Sequence, residues 1–274
     1  MYMKVGNRLF KNGFSKILAF VFWGFAFQLL SSNVLAQNAL EAIQKSKTIK
    51  IAIPTDFPPY GFVGVDLQPQ GLDVETAQFI AQKLGVKVEL VPVSSPNRVA
   101  YLQTKKVDLV ISTLGRNAER EKVIDFTHAY APYYQAVFGP KTLSIKNFND
   151  LAGKTISATR GALEDTELTK LAPPTAQIKR FEDNSSTVAA FVAGQVQMVA
   201  TGASVAAAMI QKNPQIGAEF KLLIKDSPCF IGVAKGEDAL RLKVNEIIVA
   251  AYKSGELEKL SQKWLSRSTG ELPE

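Results

Sequence analysis

One cysteine and one histidine in 274 residues leave little for several large classes of chemistry. Cys229 has no second cysteine to pair with, so no internal disulfide can form, and its expected role is that of a small buried hydrophobe. His128 alone gives a histidine-based catalytic triad or a metal cluster almost nothing to stand on. There is no GxGxxG or GxxxxGK[ST] loop to cradle a phosphate and no GxSxG turn to expose a nucleophilic serine. No cofactor or metal is expected. Low-complexity runs and flexible linkers are also missing, and no acidic residue occurs before Glu41.

That acid-free start carries Lys4, Arg8, Lys11 and Lys16, then an apolar run from Ile17 to Phe27, then small residues ending at Ala36. The order is that of a secretory signal peptide, residues 1–36, cleaved after Ala36. A retained anchor is the alternative, but a span needs roughly 20 apolar residues, more than this core supplies. Beyond the leader, 28 basic residues face 25 acidic ones, so a net charge of +7 becomes +3. Most of the basicity is the leader's, and the case for a nucleic-acid partner, which needs clustered Lys and Arg, lapses.

The remaining 238 residues alternate short β-branched runs with helical patterns. "TIKIAI" reads as a buried strand. In "VETAQFIAQKL" the apolar positions Val74, Ala77, Ala81 and Leu84 form a helical stripe, with Asp73 expected to cap it and Gly85 to stop it. Strand "VKVELVPV", helix "NRVAYLQTK" and strand "VDLVIST" follow. After Phe138–Lys141 the alternation restarts with "KTISAT", "ALEDTELTKL", "AQIKRF", "NSSTVAAFVAGQ", "VQMVAT" and "ASVAAAMIQK". Two such units predict an α/β fold with mostly parallel sheets flanked by helices, and a cleft between them suited to a small molecule.

Several separated segments resemble the periplasmic solute-binding proteins of family 3, the polar amino-acid receptors of ABC importers. They are "TDFPPYGFV", "GLDVETAQFIAQKLG", "ISTLGRNAERE", "VIDFTHAYAPYY", "LAGKTISATRGALED" and "LEKLSQKWL", in the family's order. The resemblance implies a two-lobed periplasmic-binding-protein type II clamshell. Lobe 1 is expected over 37–132 and 234–274, and lobe 2 over 133–233. It also implies a periplasmic, monomeric binding protein that closes on its ligand and then docks on an inner-membrane ABC permease.

By that resemblance Arg120 holds a ligand carboxylate, for which a planar guanidinium is suited. Ser112, Thr113 and Gly115 line the turn before it, Gly115 standing where Ser or Thr is common. Arg116 is expected in solvent. From lobe 2, Gly161, Ala162, Leu163 and Glu164 form the facing helix start, with Ala162 and Leu163 replacing family hydroxyls. Tyr60 matches an aromatic that stacks on the ligand, and Phe57 is expected in the core. "SSPNRV" resembles the glutamate/aspartate-binding subgroup, so Ser95 and Arg98 are expected to face the distal part of the ligand. Where the family strand ends Thr-Asp and the aspartate receives an ammonium, this chain has Thr201 and Gly202. Glu164, Asp165 and Asp56 are the candidate substitutes, Arg160 adds positive charge, and an aspartate installed at 202 is expected to strengthen binding of α-amino acids. Two alternatives share the fold: a periplasmic dehydratase of the cyclohexadienyl type with Glu164 as general acid, and a sensor that presents its closed form to a receptor.

Overall fold

The computed structural model describes Met1 and residues 38–273; the leader expected over 1–36 lies, but for Met1, outside the described residues. Helix α1 (Ala39–Ser46) enters strand β1 (Thr48–Ile53). A loop bearing β2 (Asp56–Phe57), β3 (Gly61–Val63) and β4 (Pro69–Gln70) precedes α2 (Leu72–Leu84). Then come β5 (Lys87–Pro92), α3 (Arg98–Gln103), β6 (Leu109–Leu114), the single turn α4 (Ala118–Glu121) and β7 (Ile124–Ala131). A second series follows: β8 (Tyr134–Pro140), β9 (Thr155–Thr159), α5 (Leu163–Leu171), β10 (Gln177–Phe181), α6 (Asn184–Val192), β11 (Met198–Gly202), α7 (Ala203–Lys212) and β12 (Ala218–Asp226). The chain closes with β13 (Cys229–Ala234), α8 (Asp238–Lys253) and α9 (Glu256–Leu265).

Two five-stranded sheets result, ordered β5-β1-β6-β13-β7 and β10-β9-β11-β8-β12. In the first, β1 runs parallel to β5 and β6, while β13 runs antiparallel to β6 and β7. The second repeats this with β9 parallel to β10 and β11, and β8 antiparallel to β11 and β12. Burial explains the composition: β6, with every residue covered, is nearly all apolar until its last turn, whereas edge strand β5 puts Lys87 and Glu89 outward.

Helix α2 buries the expected stripe of Val74, Ala77, Ala81 and Leu84 against Ile51, Ile53 and Ile111. Gly85 stops it in the left-handed conformation, φ +69°, its N–H reaching back to the last turn. The start differs from expectation. Gly71 is the N-cap, and Asp73 sits inside the first turn, fully buried, with its carboxylate turned into the fold.

The chain crosses between lobes twice, at Pro132–Tyr133 and at Ser227–Pro228. The crossings are bonded to each other, Ser227 N–H donating to the Tyr133 carbonyl at 3.2 Å. The return to the first lobe therefore comes before residue 234, because Cys229–Ala234 is already a strand of the first sheet. Sequence periodicity could not assign it, since an apolar strand reads the same in either sheet.

Candidate functional site

The polar end of β6 emerges between the lobes. Thr113 has φ +47°, a left-handed backbone costly for a β-branched residue. Its hydroxyl is tied down, donating to Asp73 Oδ2 at 2.7 Å, while Tyr130 Oη donates to Asp73 Oδ1 at 2.6 Å. Burial pushes the Asp73 carboxyl up to about 6, against the opposing pull of those two hydroxyls and of Arg98. The bend leads the chain through Gly115 to Asn117, whose Oδ1 accepts the Arg120 N–H at 2.9 Å and so starts α4.

Arg120 is thereby aimed across the cleft. Its Nη1 donates to the Gly115 carbonyl at 2.7 Å and its Nη2 to the Gly161 carbonyl of the other lobe at 3.0 Å. It is 8% exposed, and burial, then the neighbouring Arg98, bring its pKa down to about 10, so it stays charged at neutral pH. Arg98, 5% exposed, donates from Nε to Ser112 Oγ at 3.1 Å, and no other hydrogen bond of its guanidinium is formed among the described residues. Glu164 is 4% exposed. Burial raises its pKa, while its own N–H and the charges of Arg98 and Arg120 pull it back. The charges of Arg98, Arg120 and Glu164 thus act on one another between the lobes, an arrangement in which a ligand carboxylate can pair with a guanidinium. Arg116, by contrast, stands at the surface, paired with Glu121 and set over the Phe230 ring.

The lobe 2 rim is built differently from its expectation. The Gly161 N–H donates to Asp165 Oδ2 at 3.0 Å, and Asp165 Oδ1 accepts from Arg180 Nε at 2.8 Å, so this donor and this acid serve one another. Ala162 is the N-cap of α5 without a side-chain bond, and Leu163 is buried. A Cβ placed on Gly115 would overlap the Leu163 side chain. Gly115 is therefore more than a lost hydroxyl: its bareness admits a leucine from the opposite lobe. Arg160 lies outside this space, bound at the surface to Glu182 at 2.6 Å.

Thr201 and Gly202 end β11, both buried. A Cβ on Gly202 would overlap the Tyr133 ring, so the phenol covers the strand end where an acid was sought. Tyr133 packs edge-on against Tyr60, ring centroids 5.4 Å apart, and Tyr60 stacks on Phe57 at 6.1 Å. Tyr60 is fully buried in this trio, its hydroxyl 3.4 Å from both the Pro132 carbonyl and Ser204 Oγ. Sequence reasoning did not single out Tyr133 or Gln135. Gln135 stands opposite Gly202 in the ladder, and its buried Oε1 has no hydrogen-bond partner among the described residues, as is also true of Ser95 Oγ. A glutamine inside the otherwise apolar "YQAVFG" was the available signal.

Asp56 is placed in a role that spacing could not indicate. Its Oδ2 accepts the N–H groups of Asn184 at 2.7 Å and Ser185 at 3.3 Å, and its Oδ1 accepts Asn184 Nδ2 at 2.9 Å. A lobe 1 carboxylate thus caps lobe 2 helix α6, whose next free N–H, that of Ser186, goes to its own Asp183. Caps of this kind contribute roughly 0.5–2 kcal/mol. Because the bond exists only with the lobes together, Asp56→Ala is expected to weaken ligand binding by about tenfold. Titration calorimetry measures the loss, and unchanged affinity would show that the cap does not hold the lobes.

Residues 49–267 match the family described as bacterial extracellular solute-binding proteins, family 3. The L-cystine-binding protein TcyJ of Escherichia coli K12 is 25% identical over 235 residues, covering 83% of this chain and 86% of its own. Among solved structures, a solute receptor for L-cysteine from Neisseria gonorrhoeae superposes with a TM-score of 0.78 at 30% identity, over 86% of this chain and 99% of that one. The ancestral amino-acid-binding protein AncCDT-1, a precursor of cyclohexadienyl dehydratase, superposes with a TM-score of 0.75 at 28% identity, covering 83% and 99%.

Proposed function

The chain belongs to the bacterial extracellular solute-binding proteins of family 3, and from that footing we propose that it captures a small carboxylate-bearing amino acid in the periplasm and delivers it to an ABC permease. The observation that carries this reading is the Arg120 guanidinium, buried between the lobes and bonded to a carbonyl of each. A ligand carboxylate exchanged into those bonds gains a charge-assisted pair, roughly 1.5–3 kcal/mol, and draws on both lobes at once. A micromolar receptor needs only about 8 kcal/mol in all. The protein acts as a monomer, exported by the leader at 1–36, and the permease reads the surface of the closed lobes.

A thermal-shift screen over the common amino acids, dicarboxylates and amines tests this. A ligand at about 100 times its dissociation constant adds roughly 2.7 kcal/mol. For a chain of this size that raises the melting temperature by about 5–10 °C. No shift with any amino acid would overturn the proposal. A second reading rests on Glu164, whose pKa burial raises, the property a general acid requires. Incubation with prephenate or arogenate separates the two: aromatic product would establish an enzyme, and its absence leaves the receptor.

A further inference from the structure

The carboxylates around the cleft differ in how they are partnered. Asp73 accepts from Thr113 and Tyr130. Asp165 accepts from Arg180 and the Gly161 N–H. Asp56 caps α6 from across the cleft. Glu164 alone among these forms no hydrogen bond or ion pair with another described residue, although it is 96% covered. It projects from the first turn of α5, three residues after Gly161, the residue whose carbonyl Arg120 binds. An α-amino acid carries its ammonium and carboxylate groups on one carbon, so an ammonium acceptor must lie beside the carboxylate anchor. Glu164 meets that condition.

The alternative acceptor position is closed off. No side chain fits on Gly202 while the Tyr133 ring lies on its α-carbon, and Tyr133 is held in turn by Tyr60. Gly115 gives the matching signal on the other side, because it lets Leu163 seat the start of α5 against lobe 1. Gly115 thus admits the start of α5 to the cleft, and with it Glu164. The Glu164 carboxylate accepts from its own N–H and is drawn by the charges of Arg98 and Arg120, but no side chain among the described residues bonds it, which leaves it free to take a donor from a ligand.

We propose that Glu164 receives the ammonium group of a zwitterionic ligand whose carboxylate lies on Arg120, and that the Gly202–Tyr133 contact excludes the strand end from that role. This rests on the amino-acid reading above. The groups that act on the Glu164 carboxyl are Arg98, Arg120, Asp165 and Tyr133, and only the first two are cationic.

The test is titration calorimetry of the mature protein and Glu164→Gln with L-glutamine, L-glutamate, L-arginine and L-cysteine. Each is paired with its counterpart lacking the amino group: glutaramate, glutarate, 5-guanidinopentanoate and 3-mercaptopropionate. The amino acid that binds the wild type best is expected to bind Glu164→Gln roughly 10- to 100-fold more weakly. Its deamino counterpart, an anion that meets one like charge fewer there, is expected to bind Glu164→Gln no more weakly than wild type. Thermal melting verifies that Glu164→Gln is folded; should it fail, Glu164→Asp, which keeps the charge and withdraws it by one methylene, is expected to show the same selective loss for the amino acid. An amino acid that binds wild type and the folded variant equally would overturn the role of Glu164 while leaving the receptor reading intact. Failure of all four amino acids to bind wild type would overturn the reading itself, and the inference with it.

Discussion

Arg120→Ala is expected to remove detectable binding of every amino acid that stabilises the wild-type protein, a loss of at least about 100-fold. Two effects combine. The ligand carboxylate loses its charge-assisted partner inside a covered space, where deleting one member of a buried pair costs roughly 3–5 kcal/mol. The closed arrangement also loses the guanidinium that joins the Gly115 carbonyl of one lobe to the Gly161 carbonyl of the other. At about 1.4 kcal/mol per tenfold, the first effect alone exceeds two orders of magnitude. Arg120→Lys keeps the charge but not the planar fork, so it should recover only part of the affinity. Calorimetry reads both variants. Micromolar affinity retained by the alanine variant would move the carboxylate anchor to Arg98.

Gly202→Asp carries the other large effect, and its sign reverses between sequence and structure. From sequence, an aspartate here supplies the family's ammonium acceptor and should strengthen binding. In the structure its Cβ would overlap the Tyr133 ring, which cannot retreat without disturbing Tyr60 and Phe57. Overpacking of this kind costs about 1–3 kcal/mol, which for a chain of this size is a fall of roughly 2–12 °C in melting temperature. The new carboxylate would also sit near Glu164, a like charge in a covered space. Weaker amino-acid binding and a lower melting temperature are therefore expected, and in a Tyr133→Ala background, where the ring is gone, Gly202→Asp is expected to lower the melting temperature by less than it does in wild type. Tighter binding by Gly202→Asp alone, at an unchanged melting temperature, would mean that Tyr133 swings aside freely.

These two residues also mark what the amino-acid sequence makes legible and what it does not. Arg120 was singled out by the resemblance, and its place between the lobes follows from local features: a buried strand, a glycine turn and, in the structure, a capping Asn117 within a few positions. The alternation of strands and helices was legible for the same reason, each element's period being its own. The roles of Asp56, Asp165 and Arg160 were not, since each is set by a partner distant in sequence: Asn184, Arg180 and Glu182 respectively. Tyr133 went unread, and Leu163 was read only as a lost hydroxyl, because their importance lies in what a glycine elsewhere omits, and a missing side chain carries no signal of what fills its place. The cap assigned to Asp73 failed at closer range. A first-turn aspartate looks the same in sequence whether it faces the helix end or, as here, two hydroxyls in the interior.

The strand order of the first sheet has a consequence for how the molecule is made. Strand β7 touches that sheet only through β13, which comes from nearly a hundred residues later in the chain. Every strand of the second sheet lies between those two in sequence. A chain emerging from its N-terminus therefore has the whole inserted lobe in hand before the first can close its ladder. The lobe that begins first is finished last, and its long-range pairing is the slow step that topology imposes on assembly.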